Sequence, residues 1–158
     1  VQLQRAARDR ANKFDAGLPS EKPLQVRSGS LVIVGGGRMP RAVIRRFLEL
    51  AGGRDAKIVV LPTAVPRKLA MQATSPDFLT NSQAAKITLL PQSRPDEIAD
   101  EAFQSALREA TGIWFDGGRQ WNFVDAYQGT NAVELFHAVL ERGGVIGGSS
   151  AGATIQGE

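Results

Sequence analysis

Gly143-Gly144-Val145-Ile146-Gly147-Gly148-Ser149-Ser150-Ala151-Gly152-Ala153, near the end of the 158-residue chain, is the stretch whose reading decides the fold. The apolar pair Val145-Ile146 leads directly into Gly148-Ser149-Ser150-Ala151-Gly152, which matches G-x-S-x-G. Between a strand and a helix, that pattern is a nucleophile elbow. The serine of such an elbow sits on a sharp, strained turn and needs small neighbours on both sides, which Gly148 and Gly152 supply. A helix starting at Ala151 aims its first N–H groups back at the serine, where an oxyanion would form. Ser150 is the candidate nucleophile. The competing reading is a Gly/Ser-rich loop that merely ends a strand, so the preceding chain must supply the context.

Working outward, Leu31-Val32-Ile33-Val34 is a continuous apolar run, as in a strand buried on both faces. Gly35-Gly36-Gly37 follows, then a helix from about Pro40 to Leu50, with Pro40 at its first position and Val43, Ile44, Phe47 and Leu48 as its inner stripe. Lys57 to Leu61 is a second strand, closed by Pro62-Thr63; Val65 to Leu79 reads as a short helix with loops; Ala85 to Leu90 is a third strand. Pro95-Asp96-Glu97 opens a helix to about Ala110, with Ile98, Ala102, Phe103, Ala106 and Leu107 facing inward. Gly112 to Phe115 is a fourth strand, Gln120 to Tyr127 is helical, and Asn131 caps a helix through Leu140. Apolar strands alternating with helices predict a three-layer, mostly parallel α/β sheet with helices on both faces. Ligands then bind outside the carboxyl ends of the strands, so 35–38, 63–68, 116–120 and 149–151 are expected on one edge.

The composition, 42% hydrophobic and 22% charged, is that of a globular domain with a substantial core. No stretch approaches eighteen uninterrupted apolar residues, leaving no candidate for a helical membrane span. The net charge of +3 comes from scattered lysines and arginines, which argues against a nucleic-acid surface. The lack of cysteine excludes disulfides, thiolate metal sites and a cysteine nucleophile. Residues 1–29 read as an N-terminal extension: a short amphipathic helix over Val1 to Phe14, then a linker through Gly17-Leu18-Pro19-Ser20-Glu21-Lys22-Pro23. Residues 30–158 read as the N-terminal portion of a single α/β domain. The chain opens on Val1 and stops eight residues past Ser150, so the fold is expected to be incomplete at its C-terminus. The missing methionine and the lack of cysteine lean towards export without fixing a compartment.

Gly35-Gly36-Gly37-Arg38-Met39-Pro40 invites a dinucleotide-binding reading, but Pro40 stands at the third glycine and no acid follows the second strand. A turn lining a pocket fits better, and no cofactor or metal is expected. Asp116-Gly117-Gly118-Arg119-Gln120 ends the fourth strand; paired glycines let a backbone N–H approach a ligand, and Gln120 can hold a peptide or carboxylate. Its competing reading is an ordinary glycine turn. His137, the single histidine, falls inside the helix before the elbow strand, where a structural or surface role is expected rather than that of base. Arg38, Arg67, Lys68 and Arg119 each follow a strand, so a cationic rim or simply solvated loop charges would result.

Together these motifs resemble the S51 serine peptidases, the family of cyanophycinase and of aspartyl dipeptidase (dipeptidase E), with the class I glutamine amidotransferase-like, flavodoxin-like fold. The resemblance rests on Leu31-Val32-Ile33-Val34-Gly35-Gly36-Gly37, Ile58-Val59-Val60-Leu61-Pro62-Thr63-Ala64, Phe115-Asp116-Gly117-Gly118-Arg119-Gln120 and Gly148-Ser149-Ser150-Ala151-Gly152-Ala153, in family order. It implies a serine hydrolase cleaving a peptide or isopeptide bond next to an aspartyl residue. Ser150 would be the nucleophile, with backbone N–H groups of Ala151, Gly117 and Gly118 as the oxyanion hole. Gln120, Arg119 and Arg38 would contact substrate. The family's histidine and acid follow the serine, so they would lie in a missing C-terminal part or in a second fragment of the same protein; without a base this chain would be nearly inactive. Cyanophycinases typically read G-G-D-Q where this chain has Arg119, which reverses the charge offered to substrate. The alternatives are a non-catalytic relative that binds a ligand in the same pocket and an esterase or acyl hydrolase with the same elbow. A homodimer is compatible with either.

Overall fold

The computed structural model describes residues 28–157. The amphipathic helix and linker expected over residues 1–27 lie outside the described residues. Five strands form one sheet: β1 (Ser30–Val34), β2 (Lys57–Leu61), β3 (Lys86–Leu89), β4 (Gly112–Phe115) and β5 (Val145–Ser149). Their order is β1-β5-β4-β2-β3 and every pairing is parallel. The helices are α1 (Arg41–Leu50), α2 (Arg67–Ala70), α3 (Asp77–Thr80), α4 (Pro95–Ile98), α5 (Glu101–Glu109), α6 (Gln120–Tyr127), α7 (Ala132–Glu141) and α8 (Ala151–Thr154). This is the three-layer α/β architecture expected from the alternation of strands and helices.

The strand order explains the layering. Connections from β1 to β2 to β3 run one way across the sheet, and those from β3 to β4 to β5 run back. Crossovers between parallel strands are right-handed, so reversing direction moves the helices to the opposite face. On the outbound face, Phe47 of α1, Ala51 just after that helix and Leu79 of α3 pack against Ile58, Val60, Trp114 and Val145. On the return face, Ile98, Phe103, Leu107, Phe123, Tyr127, Phe136 and Val139 cover Val59, Leu61, Ile113, Phe115 and Ile146. Alternate residues of β2 and β4 thus go to opposite cores, as the pleat requires. Edge-to-face contacts fill both layers: Trp114 meets Phe47 at 5.2 Å and Phe78 at 5.0 Å, and Phe115 meets Phe123 at 5.3 Å and Phe136 at 5.2 Å. Each such pair contributes about 0.5–1.5 kcal/mol beyond its buried area.

Several local expectations need correction. β1 is an edge strand, and its alternate residues Leu31 and Ile33 are 38% and 60% exposed, so it is not buried on both faces. The helix expected from Pro95 to Ala110 breaks at Ala99-Asp100, because the Asp100 carboxylate accepts from the N–H of Ala102 at 3.1 Å and starts a new helix. Ala102 consequently faces solvent. Val65 to Leu79 holds two one-turn helices rather than one. Asn131 provides no side-chain cap to α7; the Thr130 hydroxyl accepts from Ala132 N–H instead. Pro40 sits one position before α1, its carbonyl accepting from Val43 and Ile44.

Candidate active site

Because all strands are parallel, the segments 35–38, 63–68, 116–120 and 149–151 gather at one edge of the sheet, as expected. At its centre β5 enters a reverse bend at Ser150, which has φ 53° and ψ −113° and is the one non-glycine residue with positive φ among the described residues. Sterics make that conformation costly for an L-residue, and it persists only where its surroundings impose it. Three bonds impose it here: Ser150 N–H donates to Val34 O at 2.9 Å, and Ser150 O accepts from Ala153 and Thr154 N–H at 3.0 Å each. Gly152 is pressed against β4, where a Cβ would lie 2.1 Å from the carbonyl oxygen of Phe115. Only glycine permits that approach. The N–H groups of Ala151 and Gly152, at the start of α8, find no acceptor among the described residues.

The facing wall is the turn after β4. Asp116 N–H extends the ladder to Leu61 O at 3.1 Å, and Arg119 N–H closes the turn onto Ala64 O at 2.8 Å. Between these anchors the N–H groups of Gly117 and Gly118 find no acceptor among the described residues. A Cβ on Gly117 would stand 3.5 Å from the Ser150 Cβ, which measures how near this turn comes to the elbow. Gly118 has φ 151°, and a Cβ there would be 2.5 Å from Ala64 O. The structure therefore brings Ser150, Ala151, Gly117 and Gly118 together at one place, with unpaired N–H groups on both sides.

The remaining candidates distribute around this centre. Gln120 is exposed at the first position of α6. Arg119 is exposed, and its guanidinium lies over the Trp121 ring, 5.4 Å from the centroid. Arg38 is exposed in the loop after β1, where Gly36 and Gly37 meet no neighbour and leave the loop open. The cationic rim is thinner than its residue count suggests, because Arg67 is ion-paired to Glu97. That hydrogen bond and charge, with a bond from Ser93 N–H, hold the Glu97 carboxyl below its ordinary range. His137 is exposed on α7, beside the buried Phe136, and makes no hydrogen bond to the elbow. Among the described residues, no group of three or more His, Asp or Glu side chains is placed to hold a metal ion.

Four residues support the site: Thr63 and Asp116 lie in segments already expected on this edge but without an assigned role, whereas Asn122 and Tyr127 lie outside those segments. Asn122 donates from Nδ2 to Ala64 O at 2.8 Å, tying the first turn of α6 to the loop after β2. Thr63, the residue before Ala64, is fully buried and hydrogen-bonded to the Tyr127 hydroxyl. Burial pushes that phenol above its usual range. Asp116 is half-buried; burial pushes its carboxyl up to about 6, opposed by a hydrogen bond from Trp114. The only local signal for Asn122 was its position at the third residue of a helix opening on a glycine turn; the others depend on contacts distant in sequence.

The model of peptidase family S51 matches residues 30–158. A cyanophycinase from Synechococcus elongatus is 30% identical over 119 residues, covering 75% of this chain and 37% of that protein. A cyanophycinase from Geminocystis herdmanii is 25% identical over 137 residues, covering 84% of this chain and 50% of that protein. The chain thus spans half or less of the length of these relatives. The crystal structure of a peptidase from an acI-B1 Actinobacterium superimposes with a TM-score of 0.61 at 21% identity, over 80% of this chain and 55% of that one, which supports the fold. With a family match over nearly the whole described region and the elbow in its strained conformation, the chain belongs to peptidase family S51.

Proposed function

We propose that this chain carries the nucleophile and oxyanion hole of a serine peptidase that hydrolyses a peptide or isopeptide bond adjacent to an aspartyl residue. The observation that carries the reading is the strained Ser150, with φ 53°, facing unpaired N–H groups of Ala151, Gly117 and Gly118. In this mechanism the Ser150 Oγ attacks the scissile carbonyl carbon while a base takes its proton. The carbonyl π electrons move onto oxygen, and the developing oxyanion accepts hydrogen bonds from the backbone N–H groups. Collapse re-forms the carbonyl and expels the amine, which takes the proton from the base. Water then repeats the sequence on the acyl-enzyme and releases Ser150.

Gln120, Arg119 and Arg38 contact the substrate at the rim, the two arginines favouring a carboxylate-bearing residue. The base and its acidic partner come from polypeptide beyond these 158 residues, in the same chain or in a second fragment. His137 points the same way, being exposed on α7 without a bond to the elbow.

The test begins with the intact mass of every polypeptide in the natural protein, followed by fluorophosphonate labelling and assay on α- and β-aspartyl dipeptides. One adduct on Ser150, lost in Ser150→Ala, with aspartyl dipeptide cleavage, is expected. Binding of aspartyl peptides without labelling or cleavage means a non-catalytic relative. Ester hydrolysis with no aspartyl preference means an acyl hydrolase.

A further inference from the structure

We propose that Asn122 is a positioning residue that holds the Gly117-Gly118 turn in register with Ser150 by way of the Ala64 carbonyl. The inference rests on the serine-peptidase reading of the elbow and assigns a role to a residue outside the family's motif.

A carbonyl oxygen has two lone pairs, and both of those on Ala64 are used. One accepts the Arg119 N–H at 2.8 Å, and the other accepts Asn122 Nδ2 at 2.8 Å. Asn122 also donates its own backbone N–H to Arg119 O at 3.0 Å. It therefore grips the turn's last residue and the loop behind it together. Arg119, in the N-cap position of α6, makes no side-chain cap, so the side-chain tie at the start of this helix is that of Asn122.

What is gripped matters for the oxyanion hole. Gly118 lies so close to Ala64 that a Cβ would stand 2.5 Å from its oxygen and 2.8 Å from its Cβ. Ala64 is itself fully buried. Any shift of Ala64 is thus passed directly to Gly118, one residue from Gly117, whose backbone abuts Ser150. The two N–H groups between the anchors have no other bond to hold their direction. Asn122 consequently acts on the reaction through geometry, without touching the reacting atoms.

The test compares wild type, Asn122→Asp and Asn122→Ala in the protein complete with its base. Asn122→Asp is isosteric but offers no donor to the carbonyl; Asn122→Ala removes the side chain. The expected result is a fall in kcat and in the fluorophosphonate labelling rate of roughly 10- to 100-fold, the scale of a misplacement near 1 Å, with KM changed less than about threefold. Val139→Ala, a core truncation on α7, serves as the comparator for lost stability and is expected to leave both rates unchanged well below its unfolding midpoint. If both Asn122 variants label and turn over at the wild-type rate, or if Val139→Ala loses rate equally, the positioning role is overturned while the peptidase reading stands. A wild type that does not label at Ser150 overturns both.

Discussion

The backbone N–H of Ser150 donates to the carbonyl of Val34 at 2.9 Å, so the elbow is fastened to the last residue of β1. That bond consumes the serine's own N–H and leaves those of Ala151 and Gly152 unpaired at the start of α8. It also holds Ser150 at φ 53°. Backbone strain of this kind costs on the order of 1–3 kcal/mol. Ser150→Gly relieves it and loses part of the gain to the greater freedom of glycine in the unfolded chain. The expected outcome is a stability gain of about 1 kcal/mol by urea denaturation together with complete loss of labelling. Ser150→Ala keeps the strain and should lose labelling with no such gain. Equal stability of the two variants would mean that the bend carries no strain.

The two glycines of the facing turn respond differently to a methyl group. A Cβ at Gly118 meets Ala64 at 2.5 Å in a backbone conformation that side chains avoid, whereas a Cβ at Gly117 meets Ser149 O and Ser150 Cβ at 3.5 Å, an ordinary contact. Gly118→Ala is therefore expected to lower stability by about 2–4 kcal/mol, through strain and overpacking together. Gly117→Ala should fold with an unfolding midpoint near wild type. Thermal unfolding followed by circular dichroism separates them; a stable Gly118→Ala would contradict the close packing on Ala64.

The elbow and the sheet were legible because their signals are local. Val145-Ile146 followed by Gly148 to Gly152 carries its own strand, turn and helix start, and the apolar runs at 58–61 and 112–115 read as strands wherever they fall. The position of a strand within the sheet is not local. Leu31 to Val34 is as apolar as Ile58 to Leu61, yet one run lies at the edge and the other near the centre. Nor could the sequence reveal that Arg67 is paired to Glu97 or that Asn122 meets Ala64, since each contact spans a loop whose path the tertiary fold decides. The Asp100 break was visible in principle, an aspartate two residues before Ala102, but it was outweighed by the continuous helical stripe around it.

Asp116 predicts a pH dependence of stability. Burial pushes its carboxyl up to about 6 from an ordinary 3.8. A raised folded-state value means that the folded protein binds the proton more tightly than the unfolded chain. Stability contributed by the protonated form is then fully present below about 3.8 and is lost as pH rises to about 6, above which the buried charge is a constant penalty. The penalty is on the order of 3 kcal/mol. Asp116→Asn removes it, so the variant should gain on wild type between pH 4 and pH 6.5 and hold that gain to pH 8. Urea unfolding of both proteins across this range is the measurement. Parallel curves would show that Asp116 is as well solvated in the folded chain as in the unfolded one.

Exposure along β1 allows a direct test of the sheet order. Val32 and Val34 pack towards the α1 core, while Ile33 is 60% exposed on the opposite face of a strand that, among the described residues, pairs only with β5. An apolar side chain on an open edge adds little to stability and invites pairing with another chain. Ile33→Lys is therefore expected to change the unfolding free energy of the 158-residue chain by no more than about 0.5 kcal/mol. It should also reduce any self-association seen by sedimentation at high concentration. Ile58→Ala, at a site 1% exposed in β2, should cost about 2–5 kcal/mol. Both isoleucines stand in apolar strand sequences, so the contrast follows from how deeply each is buried. If Ile33→Lys destabilises as strongly as Ile58→Ala, the return face of β1 is covered in the folded chain and β1 is not an open edge.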